Sequence, residues 1–164
     1  MTNGEEIENV FPRTGRVEWI GIAPSRLADV EAVDEITVHR ETGIVGEHHA
    51  QQSESHRQVT LIQQEHLAVM ADLLKRDDVP PDLLRRNIVV SGLNLLAVKT
   101  GRFRIGDVLL EGTGPCVPCS RMEENLGPGA YNAMQGHGGI TARVLEEGVI
   151  RLGDTVSALS GCKD

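Results

Sequence analysis

A chain of 164 residues, 40% of them hydrophobic, can bury one ordinary core, and its net charge of −8 argues against general binding to nucleic acid or anionic membranes. Only four aromatics occur (Phe11, Trp19, Phe103 and Tyr131), so base-stacking surfaces are excluded and the core must be aliphatic. Three cysteines with no signal peptide fit a reducing cytoplasm better than a disulfide framework, and no apolar run is long enough to span a bilayer.

Residues 1–14 are polar, acidic and aperiodic, and are expected to form a flexible arm ahead of a single domain over 15–160. From Arg16 the run Arg-Val-Glu-Trp-Ile-Gly-Ile-Ala predicts a strand with Val17, Trp19 and Gly21 on one face. A second short strand is expected at Glu35–His39, followed by a glycine-punctuated loop carrying His48 and His49. Side chains at i and i+1 diverge, so at most one of these histidines can face a given site. His56–Ile62 predicts a third strand. Gln63–Lys75 predicts a helix whose apolar stripe is Leu67, Met70, Leu73 and Leu74, with His66 in a packing role. Asp82 is placed as the cap of a single turn before the β-branched strand Ile88–Val90, which Arg85, Arg86 and Asn87 precede.

Gly101–Leu109 and Gly148–Val156 echo one another, each a short approach, a Gly-Asp turn and a strand, as expected of barrel or sandwich corners. In Ile140–Leu145 the alternation puts Arg143 on the face opposite Ile140, Ala142 and Val144. The glycines at 127, 129, 136, 138 and 139 match neither a dinucleotide fingerprint nor a Walker loop, which excludes a nucleotide fold.

Between the two echoes lies Glu111–Arg121, Glu-Gly-Thr-Gly-Pro-Cys-Val-Pro-Cys-Ser-Arg. Its glycines and prolines exclude an ordinary helix or strand interior, and a short helix capped by Ser120 is expected to follow. Cys119 would then stand at a helix N-terminus beside Arg121, a setting that favours thiolate. A zinc site would need about four Cys or His ligands, and the chain has no second C-x-x-C pair. A functional thiol or a metal ligand is therefore expected, with Cys119 and Cys116 as candidates.

The ordered series Thr-Gly-Ile-Val-Gly-Glu-His-His (42–49), Arg-Gln-Val-Thr-Leu-Ile (57–62), Arg-Arg-Asn-Ile-Val-Val-Ser-Gly-Leu (85–93), Phe-Arg-Ile-Gly-Asp (103–107), Pro-Cys-Val-Pro-Cys (115–119) and His-Gly-Gly-Ile-Thr-Ala-Arg-Val-Leu (137–145) resembles the MOSC domain, named after the C-terminal part of molybdenum cofactor sulfurase. The resemblance runs from about Arg16 to about Leu159. It implies a β-rich barrel with a few short helices and a cleft for a molybdopterin-type molybdenum cofactor, held permanently or only transiently. It also implies one cleft cysteine, acting either as ligand to molybdenum in the reduction of N-hydroxylated substrates or as a persulfide sulfur carrier. Pro118-Cys119 before Ser-Arg-Met-Glu fits the family's cysteine motif better than Pro115-Cys116, so Cys119 takes the role and Cys116 is the alternate, a candidate resolving thiol. Arg57, Arg86, Asn87, Arg121, Arg143 and His49 are the implied cofactor contacts. Implied partners are a pyridoxal-phosphate-dependent cysteine desulfurase or an electron-donor reductase, and a second subunit could supply a missing cleft wall. A thiol-redox or metal-binding accessory protein using the Cys116–Cys119 pair is the alternative.

Overall fold

The computed structural model describes Gly4, Ile7 and residues 10–26, 28–47 and 56–159. Its centre is a closed ring of β1 (Gly15–Ile22), β5 (Val59–Gln63), β6 (Ile88–Ser91), β7 (Arg102–Ile105), β8 (Val108–Pro115), β9 (Ile140–Glu146) and β11 (Thr155–Ala158). Around the ring the order is β1-β11-β7-β8-β9-β5-β6, and β6 pairs back onto β1. A short β2 (Glu31–Ala32) extends β1, and a separate sheet is formed by β10 (Gly148–Arg151), β3 (Glu35–His39) and β4 (Gly43–Ile44).

Neighbours in the ring are antiparallel except β5 and β6, which run parallel with Leu61 opposite Ile88. Parallel neighbours need a long crossover. Here it is α1 (Gln64–Leu74) followed by a 3-10 turn at Pro81–Leu84. Two further helices, α2 (Arg121–Leu126) and α3 (Ala130–Ala133), lie in the β8–β9 connection.

The barrel interior is aliphatic around Phe103, with Val17, Ile20, Val59, Leu61, Ile105, Leu110, Ile140 and Val144 buried in it. A second cluster lies outside the ring, where Ile62 and Val89 from β5 and β6 meet Met70 and Ala71 of α1, Leu84, Met122, Ala130 and Met134. These two strands therefore bury both faces, which is why β5 is buried at all five positions. The outer cluster docks α2 and α3, and so the cysteine segment, beside the start of β6.

Several local expectations change. A bulge in β1 between Val17 and Trp19 shifts the alternation. Val17 and Ile20 thus face the barrel core, whereas Trp19 packs in the outer cluster. The inward stripe of α1 is Leu67, Met70, Ala71 and Leu74, the i, i+3, i+4, i+7 set, and Leu73 is 59% exposed. Asp82 does not cap the turn: its first residue is Pro81, after Pro80, and no side chain supplies the bond. Ser120 likewise gives α2 no side-chain cap, because its own backbone is already helical. Of the two Gly-Asp turns, only Gly106-Asp107 closes a hairpin, β7–β8, while Gly153-Asp154 carries the chain from the small sheet into the barrel. The two turns meet, with the Gly106 amide donating to the Thr155 carbonyl at 3.0 Å. In the segment before β1, Phe11 packs against the barrel core.

Candidate functional site

Because β5 and β6 are parallel neighbours, the residues that lead into them reach the same rim of the barrel. Arg57 precedes one strand, and Arg85, Arg86 and Asn87 precede the other. The antiparallel β1 ends beside them, placing Ala23 at the same rim. These residues, with Arg26, Val30, Glu47 and the stretch Cys119–Met122, line a cleft of about 300 Å³. Five arginines and one glutamate form its charged lining on a chain whose net charge is −8. An adjoining pocket of about 460 Å³ shares Val30, Arg85 and Arg121 with it and adds Asp29 and Asp82.

Arg86 is the most buried of the cations, 2% exposed. Its Nε donates to the Gly138 carbonyl at 2.8 Å and its Nη1 to the Leu84 carbonyl at 3.0 Å. Its Nη2 is buried and has no hydrogen-bond partner among the described residues. Burial pushes the Arg86 pKa below its ordinary value, and nearby Arg57 adds to this, whereas charge on Cys116 and on Cys119 opposes it. The close approach that permits this arrangement requires glycine at 138, since a Cβ there would collide with the Cys116 carbonyl.

Asn87 is a clamp. Its Oδ1 accepts from the Thr60 amide and hydroxyl, both at 3.0 Å, and its Nδ2 donates to the Gly21 carbonyl at 3.2 Å and to Glu47 Oε2 at 3.1 Å. Every donor and acceptor of the side chain is engaged in tying β1, β5 and β6 together and holding Glu47. The same Glu47 oxygen accepts the Ala23 amide at 2.7 Å. Arg85, left-handed at φ 57°, and Arg121 brace the segment after β1. Arg85 donates to the Ala28 and Arg26 carbonyls at 2.8 and 3.1 Å, and Arg121 to the Arg26 carbonyl at 3.0 Å. Burial first, and then the charge of Arg121, lower the Arg85 pKa, against the opposing influence of Glu47, Asp29 and Cys119.

Cys119 is exposed in the cleft, held at the first turn of α2, where its carbonyl accepts the Met122 amide at 3.0 Å. Cys116 is buried, 2% exposed, behind the cleft wall. The helix that presents Cys119 is itself fastened: Asn125 Nδ2 donates to the Leu83 carbonyl at 2.8 Å, and Arg76 to the Leu126 carbonyl at 3.2 Å.

The structure thus brings Arg57, Arg86, Asn87, Arg121 and Cys119 to one cleft. Arg143 is not among them. On β9 its side chain points outward, against Ile140 and Ala142 within, and its Nε and Nη2 both donate to Glu111 Oε1 at 3.0 and 2.6 Å. The strand alternation that puts it outside overrides the motif resemblance that sent it to the cleft. His49 lies outside the described residues, as does Cys162. Among the described residues, no three His, Cys, Asp or Glu side chains cluster as a protein-built metal site would need.

The sequence profile of the MOSC domain matches residues 45–157, well over half of the chain. The chain belongs to the MOSC family. That family is associated with molybdenum cofactor binding. Solved structures agree in fold: YuaD from Bacillus subtilis superposes with a TM-score of 0.79 at 20% identity, covering 92% of this chain and 98% of that one. YiiM from Geobacillus stearothermophilus gives 0.72 at 19% identity over 88% of this chain and 75% of its own. YiiM from Escherichia coli gives 0.68 at 21% identity, covering 91% and 72%. No curated protein matches significantly.

Sequence reasoning missed two charged lining residues of this MOSC cleft, Glu47 and Arg26. Glu47 follows Gly46, whose φ of 88° turns the chain toward β1. A lone acid after such a turn was the available signal, but its partners Ala23 and Asn87 are far away in sequence.

Proposed function

We propose that the cleft binds a molybdenum cofactor of the molybdopterin type, with Cys119 as the protein ligand to molybdenum and Arg86 as an anchor for the cofactor's anionic part. One observation carries the reading: the buried Arg86 Nη2 has no hydrogen-bond partner among the described residues, and Arg86 is a lining residue of the cleft that holds the exposed Cys119. A buried charged donor left without a partner costs on the order of 1–3 kcal/mol or more, and an anion in the cleft would satisfy it. Arginine suits such an anion because its planar fork matches phosphate oxygens. A thiolate is a suitable soft donor to a transition-metal centre. The residues present therefore fit the group.

When bound, the cofactor supplies a redox-active metal centre for the reduction of N-hydroxylated substrates, with electrons from a separate reductase. The chain's own residues bind and orient. Arg86 and Arg57 offset the repulsion of the acidic surface locally, the Asn87–Glu47 clamp holds the rim in register, and α2 fixes the thiol at the cleft. Nothing in the sulfur-carrier alternative, in which Cys119 accepts sulfur from a cysteine desulfurase, calls for the open donor on Arg86.

The test is gentle purification of the native protein followed by elemental analysis, pterin fluorescence and intact mass. The expected result is molybdenum and pterin in near-stoichiometric amounts, with molybdenum lost in Cys119→Ser. A persulfide on Cys119 with no metal would replace the reading by the sulfur carrier. Protein with neither cofactor nor persulfide, and no uptake of supplied cofactor, would refute both.

A further inference from the structure

The second cysteine has no part in that reading, yet its placement is specific. Cys116 is the fixed member of the pair: its amide donates to the Gly139 carbonyl at 2.8 Å, and its carbonyl packs on Gly138. Cys119, two residues on from Val117, is exposed in the cleft. The linking residues Val117 and Pro118 belong to neither helix nor strand, and Val117 is 66% exposed. Beneath them is a small cavity of about 60 Å³ whose wall includes Cys116, Val117, Pro118 and Gly138. Only Val117 and Pro118 separate the two cysteines, and the chain between them forms no ladder of the barrel. Charge on either sulfur bears on the Arg86 guanidinium, so both lie within reach of the same buried cation.

We propose that Cys116 is the resolving thiol of a reversible redox latch: a hydroperoxide oxidises Cys119, and Cys116 captures it as an intrachain disulfide that closes the cleft's thiol to cofactor or substrate. In the first step Cys119 sulfur attacks a peroxide oxygen. The O–O bond breaks, an S–O bond forms, and the second oxygen takes the Cys119 proton and leaves as water from hydrogen peroxide or as the alcohol from an organic hydroperoxide, so that peroxide is reduced and Cys119 becomes a sulfenic acid. In the second step Cys116 sulfur attacks Cys119 sulfur. The S–S bond forms, the S–O bond breaks, and the departing hydroxyl leaves as water with the Cys116 proton. Two equivalents of a small thiol return both cysteines to the reduced state and are themselves joined as a disulfide. Burial shields Cys116 from the oxidant, while exposure makes Cys119 the residue attacked first.

The proposal rests on Cys119 being the functional thiol, but its test reads peptide masses rather than metal or pterin. A failed latch and a failed cofactor assignment are therefore distinguishable. The full-length protein is exposed to hydrogen peroxide, blocked and digested with trypsin, which releases Ile105–Arg121 with both cysteines in one peptide. The expected product is that peptide lighter by two hydrogen atoms and restored by dithiothreitol. In Cys116→Ser, Cys119 should be trapped by dimedone as sulfenic acid and pass to sulfinic acid at least ~10-fold faster than in the wild type. Cys116→Ala, checked by its urea midpoint, serves should the serine disturb the buried site, and Cys162→Ser should keep the latch intact. Equal over-oxidation of Cys119 with and without Cys116, or a disulfide from Cys119 to Cys162, would overturn the proposal.

Discussion

The cleft wall and the outer face of β7–β8–β9 are both rich in arginine, and they use it in opposite ways. On the outer face each guanidinium has a carboxylate: Arg143 and Arg102 meet Glu111 at 2.6 and 3.5 Å, and Arg104 meets Glu146 at 2.7 Å. These pairs are partly exposed, so solvent screening leaves each with little net effect. In the cleft wall Arg86 is bonded only to carbonyl oxygens, is buried, and retains a donor with no partner among the described residues. The same side chain is thus neutralised in one region and held as an uncompensated charge in the other. What sets Arg86 apart here is the shortage of acceptors around it. Membership in a motif does not, since Arg143 shares the family pattern and still faces away.

The sharpest way to break this contrast is to remove the frame of the cleft wall. Asn87→Ala should leave the Thr60 amide, the Gly21 carbonyl and the Glu47 carboxylate short of partners, destabilising the protein by about 3 kcal/mol. Urea unfolding should show a lower midpoint with unchanged slope. A loss no larger than that of Arg143→Ala, itself expected at or below ~1 kcal/mol, would mean that the clamp is dispensable.

A second comparison weighs the arginines by ligand affinity. Titrated calorimetrically with inorganic pyrophosphate, Arg86→Met should bind roughly 10- to 100-fold more weakly than wild type, the equivalent of losing one or two charge-assisted hydrogen bonds. Arg86→Lys should recover little, because a point charge does not reproduce the fork. Arg143→Ala should bind as wild type does. Equal losses at 86 and 143 would erase the distinction between the two regions.

The smallest expected effect concerns pH. His66 of α1 and His137 meet edge to face with ring centroids 5.0 Å apart, and the His137 Nδ1–H donates to the Ala133 carbonyl at 3.0 Å. Burial first, then the charge of His137, lower the His66 pKa from its ordinary 6.5, with Glu65 opposing. The folded state therefore binds this proton less readily than the unfolded state. Stability from this source is present at neutral pH and is lost as pH falls below 6.5. His66→Gln should flatten that slope. Because His137 adjoins Gly138, whose carbonyl holds Arg86, amide exchange should quicken in the cleft wall at low pH before it does on β8–β9. An unchanged slope in the variant would assign the acid sensitivity elsewhere.

Much of the barrel could be read from the chain because its strands alternate and its turns carry glycine. The helix before Lys75 and the Gly-Asp corners needed only local pattern. Trp19 was misplaced because a bulge adds one residue to the alternation, and a bulge is decided by the partner strand as much as by the strand itself. Leu73 lies six residues after Leu67 and so falls off the inward face, and the buried neighbour of Met70 is Ala71. Arg143 had a correct local signal, its outward phase on β9, in conflict with a motif that suggested the cleft. Here the local geometry prevailed. Glu47 and Arg85 join the cleft through contacts with Ala23, Asn87 and Ala28 that no sequence window contains.

The parallel pair β5–β6 has a consequence that belongs to counting. Around a closed ring, strands can alternate up and down without conflict only if their number is even. This ring has seven, so at least one neighbouring pair must run in the same direction, and β5–β6 is that pair. The mismatch is a fixed defect in an otherwise alternating pattern: it can be moved to another seam, but it cannot be annealed away while the strand number stays odd. At this defect two chain segments approach the barrel from one side and bring Arg57 and Arg86 with them, and the crossover it demands builds the outer layer on which the Cys119 helix rests. A ring of eight alternating strands would have no such obligatory seam, and nothing in its topology would gather these groups at one rim.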